Sequence, residues 1–247
     1  MKEEPIHPPL IILQMNTNFS RTIALIGEEN FKKIQGLNIL VFGIGGVGGY
    51  VCEALARSGV LHFTLVDADK VDPSNINRQI IATEHTIGMD KIGLMKDRIL
   101  AINFDTSVRI IGKFILPESL DEIDFKEYDY IVDCIDTVTS KIAIICKAKE
   151  NNIPVISALG AGNRIDATKL VVSDIYKTAG DPLAKVLRHE LRKRGVKSLK
   201  VVYSLEESSN SVTSEENGRH SPASMVFVPA TMGIYIANEI IKDTINK

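Results

Sequence analysis

The chain has 247 residues, 45% hydrophobic and 24% charged, with a formal net charge of −2 at pH 7. These values describe an ordinary soluble globular protein with room for one large α/β domain, alone or with an appendage; they exclude a chain that is basic throughout, so any nucleic-acid contact rests on a local patch. Three cysteines, Cys52, Cys134 and Cys146, exclude a disulfide framework and suit a reducing cytoplasm.

Residues 1–18 read as an N-terminal tail. Its apolar run, Pro9 to Met15, is too short to span a bilayer, and Glu3 and Glu4 ahead of it make a poor signal peptide. A later apolar run, Met225 to Ile241, is broken by Pro229, Asn238 and Glu239, so no integral membrane segment is expected. Ile39-Leu40-Val41-Phe42 has the length and composition of a buried parallel strand. Gly43-Ile44-Gly45-Gly46-Val47-Gly48 follows at once, and Val47, Val51, Ala54 and Leu55 recur at helical spacing. Strand, glycine turn and helix are the context in which a G-x-G-x-x-G loop binds a nucleotide. Gly43 permits the tight turn, Gly45 lets the backbone approach a phosphate, and Gly48 lets helix and strand pack closely. Free N–H groups and the helix dipole then favour an anion. Asp67 ends a second strand, Phe63 to Val66, and lies 19 residues past Gly48, where an acid hydrogen-bonds ribose hydroxyls.

A dehydrogenase needs no more than this. Here the polar series continues with Asp69, Asn75, Arg78, Gln79, Lys91, Asp133 and Asp136, a set out of place around a nicotinamide. Arg78 and Lys91 suit the neutralisation of charge on a transferring phosphate; Asp69 and Asp136 suit Mg²⁺, which takes oxygen ligands. Further strands are predicted at Val108–Ile111, Tyr130–Val132, Val155–Ser157, Leu170–Val172 and Lys200–Tyr203. Their alternation with helical patterns predicts an α/β fold, a Rossmann-like, mostly parallel sheet with helices on both faces. Residues 19–175 form the nucleotide-binding domain of this reading, and 176–247 a C-terminal portion. In that portion Lys185 to Lys200 hold seven Lys or Arg and one Glu, the densest basic stretch of the chain. Residues 204–222, rich in Ser, Glu and Asn with Gly218 and Pro222, read as a mobile loop long enough to cross an active site. Thr231 to Asp243 reads as a final helix with an apolar face.

Together these motifs resemble the adenylating enzymes related to ubiquitin-activating enzyme, a group that includes the molybdopterin and thiamine sulfur-carrier adenylyltransferases. Those enzymes share a G-x-G-G-x-G loop, a following D-x-D, an N-x-x-R-Q and a downstream D-x-x-D; all four are present here. The resemblance implies bound ATP. Gly43, Gly45, Gly46 and Gly48 form its phosphate loop, with Gly46 in contact, and Asp67 holds the ribose. Asn75, Arg78, Gln79 and Lys91 hold the triphosphate with Asp69 beside them, and Asp136 positions Mg²⁺. Arg78, Lys91 and Asp136, together with Arg21, are thereby the catalytic candidates. Arg21, in Phe19-Ser20-Arg21-Thr22, matches an arginine that in this family reaches into the partner subunit's ATP site, which implies a homodimer with shared sites.

Two stretches narrow the resemblance. Gly160-Ala161-Gly162-Asn163-Arg164-Ile165-Asp166-Ala167-Thr168 and Lys177-Thr178-Ala179-Gly180-Asp181-Pro182-Leu183-Ala184 are similar to the tRNA threonylcarbamoyladenosine dehydratases, and with them the resemblance covers nearly the whole chain. It implies an enzyme that uses ATP to adenylate the carboxylate of a threonylcarbamoyl group on an adenosine beside the anticodon. The activated acid then cyclises, a net loss of water. Intramolecular attack gains from proximity and requires no enzyme thiol. The implied partner is tRNA, not DNA, with Arg188, Arg192, Lys193, Arg194 and Lys197 as contacts. Three cysteines without a C-x-x-C pair exclude the Cys₄ zinc site usual in the sulfur-carrier branches. Val201-Val202-Tyr203-Ser204 stands where some dehydratases carry a cysteine, which leaves a sulfur-relay partner open. The alternative reading is an adenylyltransferase for the C-terminal glycine of a ubiquitin-like sulfur carrier. A nicotinamide-dependent dehydrogenase is the third, opposed by Arg78, Lys91 and Asp136.

Overall fold

Seven short runs of β-branched and aliphatic residues, each bounded by polar or glycine-containing turns, pair into one sheet. The computed structural model describes residues 18–208, 213–216 and 219–246; residues 1–17 of the expected tail lie outside it. The strands are β1 (Asn38–Phe42), β2 (His62–Val66), β3 (Ser107–Ile111), β4 (Tyr130–Asp133), β5 (Val155–Ala158), β6 (Leu170–Asp174) and β7 (Lys200–Ser204), in the order β3-β2-β1-β4-β5-β7-β6. All neighbours are parallel except β6, which runs antiparallel to β7 at the edge. β4 and β5 are buried at every residue, as strands covered on both faces must be.

Side chains alternate between two helical layers. Ile39 and Val41 of β1 meet α3 (Gly48–Ser58), α4 (Lys91–Ile102) and α7 (Phe227–Ile245) through Val51, Leu55, Met95, Ile99, Met232 and Ile236. Leu40 and Phe42 meet the other layer, α5 (Val138–Glu150) and α6 (Pro182–Lys193), through Ile144, Ile145, Leu187 and Leu191. Each such side chain contributes about 1.5–3 kcal/mol on burial. Two short helices, α1 (Ser20–Ile26) and α2 (Glu28–Gln35), precede β1. No described helix is long and apolar enough to cross a membrane.

The region after residue 175 is woven into this sheet, since β7 lies between β5 and β6 and α7 packs on α3. The packing is close: a Cβ on Gly233 would stand 2.5 Å from the carbonyl oxygen of Val47, directly behind the glycine loop. Residues 204–222 are not loop throughout. Strands β8 (Thr213–Glu216) and β9 (Arg219–Pro222) pair antiparallel, Thr213 opposite Pro222. Between them the sequence reads Asn217-Gly218, the dipeptide that most strongly favours a hairpin; the polar composition masked that signal. Residues 209–212, 217 and 218 of the expected mobile loop lie outside the described residues. The last helix begins at Phe227 rather than Thr231, because Pro229 sits in the first turn, where no N–H has an intrahelical partner.

Candidate active site

The strand order reverses between β1 and β4, and a cleft of about 900 Å³ opens there, outside the carboxyl ends of the strands, the place where open α/β sheets bind ligands. Gly43 leaves β1 with φ +87, and a Cβ on it would lie 2.9 Å from the backbone of Cys134. A Cβ on Gly48 would lie 1.8 Å from the carbonyl oxygen of Gly43. These two glycines let the loop close on itself. Gly46 is held between Pro229 and Arg78, whereas Gly45 faces open space, its imagined Cβ meeting nothing nearer than Gln79 Nε2 at 3.9 Å. Gly45 is therefore where another molecule can approach the backbone.

Asp67 fastens the loop. Its carboxylate accepts from the N–H of Ile44 at 2.6 Å and of Asp69 at 2.7 Å. Burial pushes its pKa up, against those two amides and nearby Lys91. Lys91 begins α4 with a side chain only 7% exposed, and its ammonium donates to Asp69, 63% exposed, at 2.9 Å. A buried cation at a helix N-terminus opposes the helix dipole, so the Asp69 contact and any entering anion are what favour it there. Asn75 is buried and caps its own turn, its Oδ1 accepting from the N–H of Asp72 at 3.1 Å. Arg78 donates to the carbonyl of Ser74 at 2.7 Å and to Asn77 Oδ1 at 3.0 Å, within the cleft lining. Gln79 is buried against the loop, and its Oε1 accepts no hydrogen bond among the described residues.

The D-x-x-D segment sends its two acids in opposite directions. Asp133 is wholly buried and bonded to Lys141 at 2.7 Å and Ser157 at 2.6 Å; burial pushes its carboxyl up, opposed by Lys141. Asp136 is exposed and lines the cleft, its Oδ1 accepting from Thr137 Oγ1 at 3.4 Å. Among the described residues no three His, Cys, Asp or Glu side chains are grouped to hold a metal. Cys134 also lines the cleft, but burial raises its thiol far above the usual range, the opposite of what an attacking thiolate needs.

The opposite wall comes from the two later motifs, which bind each other. Arg164 of the first donates to Asp181 of the second at 3.0 Å, both nearly inaccessible, and also to the carbonyls of Gly160 and, at 3.1 Å, Glu206. Asp181 also caps α6, accepting from the N–H of Ala184 at 2.8 Å. Gly160, Ala161, Gly162 and Leu183 thereby face the cleft. Lys113, Phe114, Ile115, Ser224 and Pro229 line it too; no sequence motif marks them, because only the assembled fold brings the loops after β3 and β9 and the first turn of α7 to the glycine loop.

Arg188, Arg192, Lys193 and Arg194 line no part of this cleft and are engaged within the molecule. Arg188 donates to the carbonyl of Thr178 at 2.9 Å, Arg192 lies over the ring of Tyr176 at 5.2 Å, and Lys193 and Arg194 pair with Glu190 at 3.1 and 2.6 Å. Lys197 is exposed beyond the helix. Arg192 stands nine residues past Leu183, roughly 14 Å along the helix axis. Arg21 is exposed on α1 and lines no part of the cleft of its own chain.

Known proteins with this arrangement are close in sequence. The chain is 37% identical over 237 residues to the tRNA threonylcarbamoyladenosine dehydratase of Bacillus subtilis, an alignment spanning 91% of this chain and 93% of that protein. It is 40% identical over 174 residues to the Escherichia coli enzyme of the same name, spanning 70% and 65% of the two. The crystal structure of E. coli tRNA N6-threonylcarbamoyladenosine dehydratase in complex with ATP superposes with a TM-score of 0.84 at 33% identity, covering 93% of this chain and 94% of that one. With the model of the ThiF family matching residues 19–247, the chain belongs to the ThiF family.

Proposed function

We propose that this chain is an ATP-dependent tRNA threonylcarbamoyladenosine dehydratase. One observation carries the reading: the open backbone at Gly45, the cations Arg78 and Lys91 and the exposed Asp136 face a single cleft at the sheet's switch point, in a chain with a 37% identical dehydratase relative over 91% of its length. In the first step a carboxylate oxygen of the threonylcarbamoyl group attacks the α-phosphorus of ATP, and pyrophosphate leaves. In the second, an atom of the same carbamoyl group attacks the acyl carbon, AMP leaves and a carbamoyl N–H proton is released to solvent, so the oxygen lost from the nucleoside departs on AMP. The second step is intramolecular and gains from enforced proximity.

In this reading Gly43, Gly45, Gly46 and Gly48 form the phosphate loop, Asp67 meets the ribose, and Asn75, Arg78, Gln79 and Lys91 hold the triphosphate. Lys91 and Arg78 offset the negative charge that builds during transfer; as Lys91 turns to phosphate, Asp69 is released from it. Asp136 would hold Mg²⁺, which would supply further neutralisation of the phosphates. A second copy of the chain contributes Arg21 to the site. The tRNA backbone lies along α6 and Lys197, where Arg188, Arg192, Lys193 and Arg194 exchange internal partners for phosphates. The reaction belongs in the cytoplasm, with ATP and tRNA.

The test is mass spectrometry of nucleosides from tRNA bearing threonylcarbamoyladenosine, incubated with protein, ATP and Mg²⁺ and isolated under mild conditions. The expected product has lost one water in an ATP-dependent manner and is absent with Asp136→Ala. An unchanged nucleoside, from protein that binds ATP, overturns the reading in favour of sulfur-carrier adenylation.

A further inference from the structure

A buried charge under the cleft has no part in either chemical step. Lys141, in the second turn of α5, is wholly inaccessible. Its ammonium donates to Asp133 Oδ2 at 2.7 Å, to Ser157 Oγ at 3.1 Å and to the carbonyl of Ala158 at 2.9 Å. All three of its hydrogens therefore have an acceptor. Ser157 Oγ donates to the same Asp133 oxygen at 2.6 Å, and Asp133 Oδ1 accepts from the N–H of Ile135 at 3.4 Å, one residue before Asp136. The residue before Lys141 does similar work: Ser140, also buried, donates to the carbonyl of Ile115 in the loop after β3. Two consecutive residues of one helix thus fasten the ends of β3, β4 and β5, from which Ile115, Asp136 and Leu159 to Gly162 enter the cleft.

Stability alone does not explain this choice. A buried ion pair is often no better than apolar side chains of the same volume, and the adjoining strand positions Ile131, Val132 and Ile156 are aliphatic and fully buried. What three directed hydrogen bonds add over an apolar plug is orientation. We infer that Lys141, with Asp133, Ser157 and Ser140, is a positioning residue for the adenylation. It sets the segment carrying Asp136 and the segment Leu159–Gly162 in fixed relation, so that the two walls of the cleft present ATP and the carboxylate in register. The inference rests on the adenylation reading above.

The test is the paired variant Asp133→Asn/Lys141→Met, which removes both charges together and leaves neither stranded. Its ATP affinity is expected to stay within about threefold of the parent, since no group that binds ATP is changed. Its single-turnover cyclisation is expected to fall about a hundredfold, the order found when reacting groups are misplaced by an ångström. Amide hydrogen exchange is expected to quicken at residues 134–137 and 158–162 while α3 and β2 keep their protection. Ser157→Ala keeps the ion pair, so it serves if the paired variant does not fold; the same local exchange pattern is expected with about a tenfold rate loss. An unchanged rate, or a loss accompanied by uniformly quickened exchange across the sheet, overturns the inference. Absence of cyclisation in the parent protein overturns the dehydratase reading instead, and the exchange pattern still decides the positioning role.

Discussion

On the glycine-loop wall of the cleft Asp136 is exposed and Lys91 is held by an acid itself 63% exposed, whereas on the opposite wall Arg164 and Asp181 are 2% and 1% exposed and bound to each other at 3.0 Å. Both walls come from motifs that carry the family resemblance, and both use arginine and aspartate. On the first wall the charges remain available to a ligand at modest cost. On the second they are consumed in holding three loops and a helix N-terminus in place. A motif residue therefore matters either by meeting the substrate or by shaping the wall that does, and exposure together with partners, not residue type, separates the two.

The largest effect expected from that contrast is on the first wall. Asp136→Ala and Arg78→Ala should each lower single-turnover cyclisation by about a thousandfold, the order seen when one charge-stabilising group is removed, with the melting temperature nearly unchanged. Melting at a much lower temperature would place these side chains with the wall-builders. Next, Arg164→Met should leave the Asp181 carboxylate buried without its partner and cost about 3 kcal/mol or more. That is a fall of roughly 6–12 °C for a chain of this size, read by calorimetry. An Arg164→Met protein as stable as the parent but inactive would break the comparison.

Gly45→Ala is milder: the space beside it is open, so the protein should fold and its KM for ATP rise about tenfold where a phosphate meets the new methyl group. Gly48→Ala, by contrast, should not yield folded protein, because its Cβ meets a backbone oxygen at 1.8 Å. The smallest effect is expected away from both walls. Glu53 joins α3 to α4, accepting from Arg57 and from Arg98 at 2.7 Å each. Burial alone would raise its pKa, but the hydrogen bonds from Arg98 and Arg57 hold it below the usual 4.5. Its stabilisation is therefore present above that pH and lost as pH falls through the lowered value. Glu53→Gln should cost about 1 kcal/mol at pH 7, and the cost should shrink as pH falls through the lowered value, checked by denaturant unfolding across that range.

Much of this site was legible in the chain. The strand, glycine loop and helix follow one another locally, and Asp67, Asn75, Arg78, Gln79, Lys91 and Asp136 all reach the cleft. The pairing of Lys91 with Asp69 was not legible, since 22 residues separate them. Nor was the split between Asp133 and Asp136: at the end of a strand, residues three apart leave in different directions, and which one faces the core depends on what α5 places beneath it. The hairpin after β7 was signalled by Asn217-Gly218 yet obscured by the polar residues around it.

Local chemistry, written in the order of residues, determined the elements and the glycine loop: alternation and apolar runs set strands, glycines set the turn, and helical spacing set α3. Position in three dimensions was decided elsewhere. The antiparallel edge strand β6, the insertion of β7 beside β5, the burial of Lys141 and the use of α6's arginines as internal braces all depend on which surfaces meet once the sheet is assembled. A side chain's charge is the same in every context, but its desolvation and its partners are properties of the assembled fold, and these decide whether it serves a ligand or the structure itself.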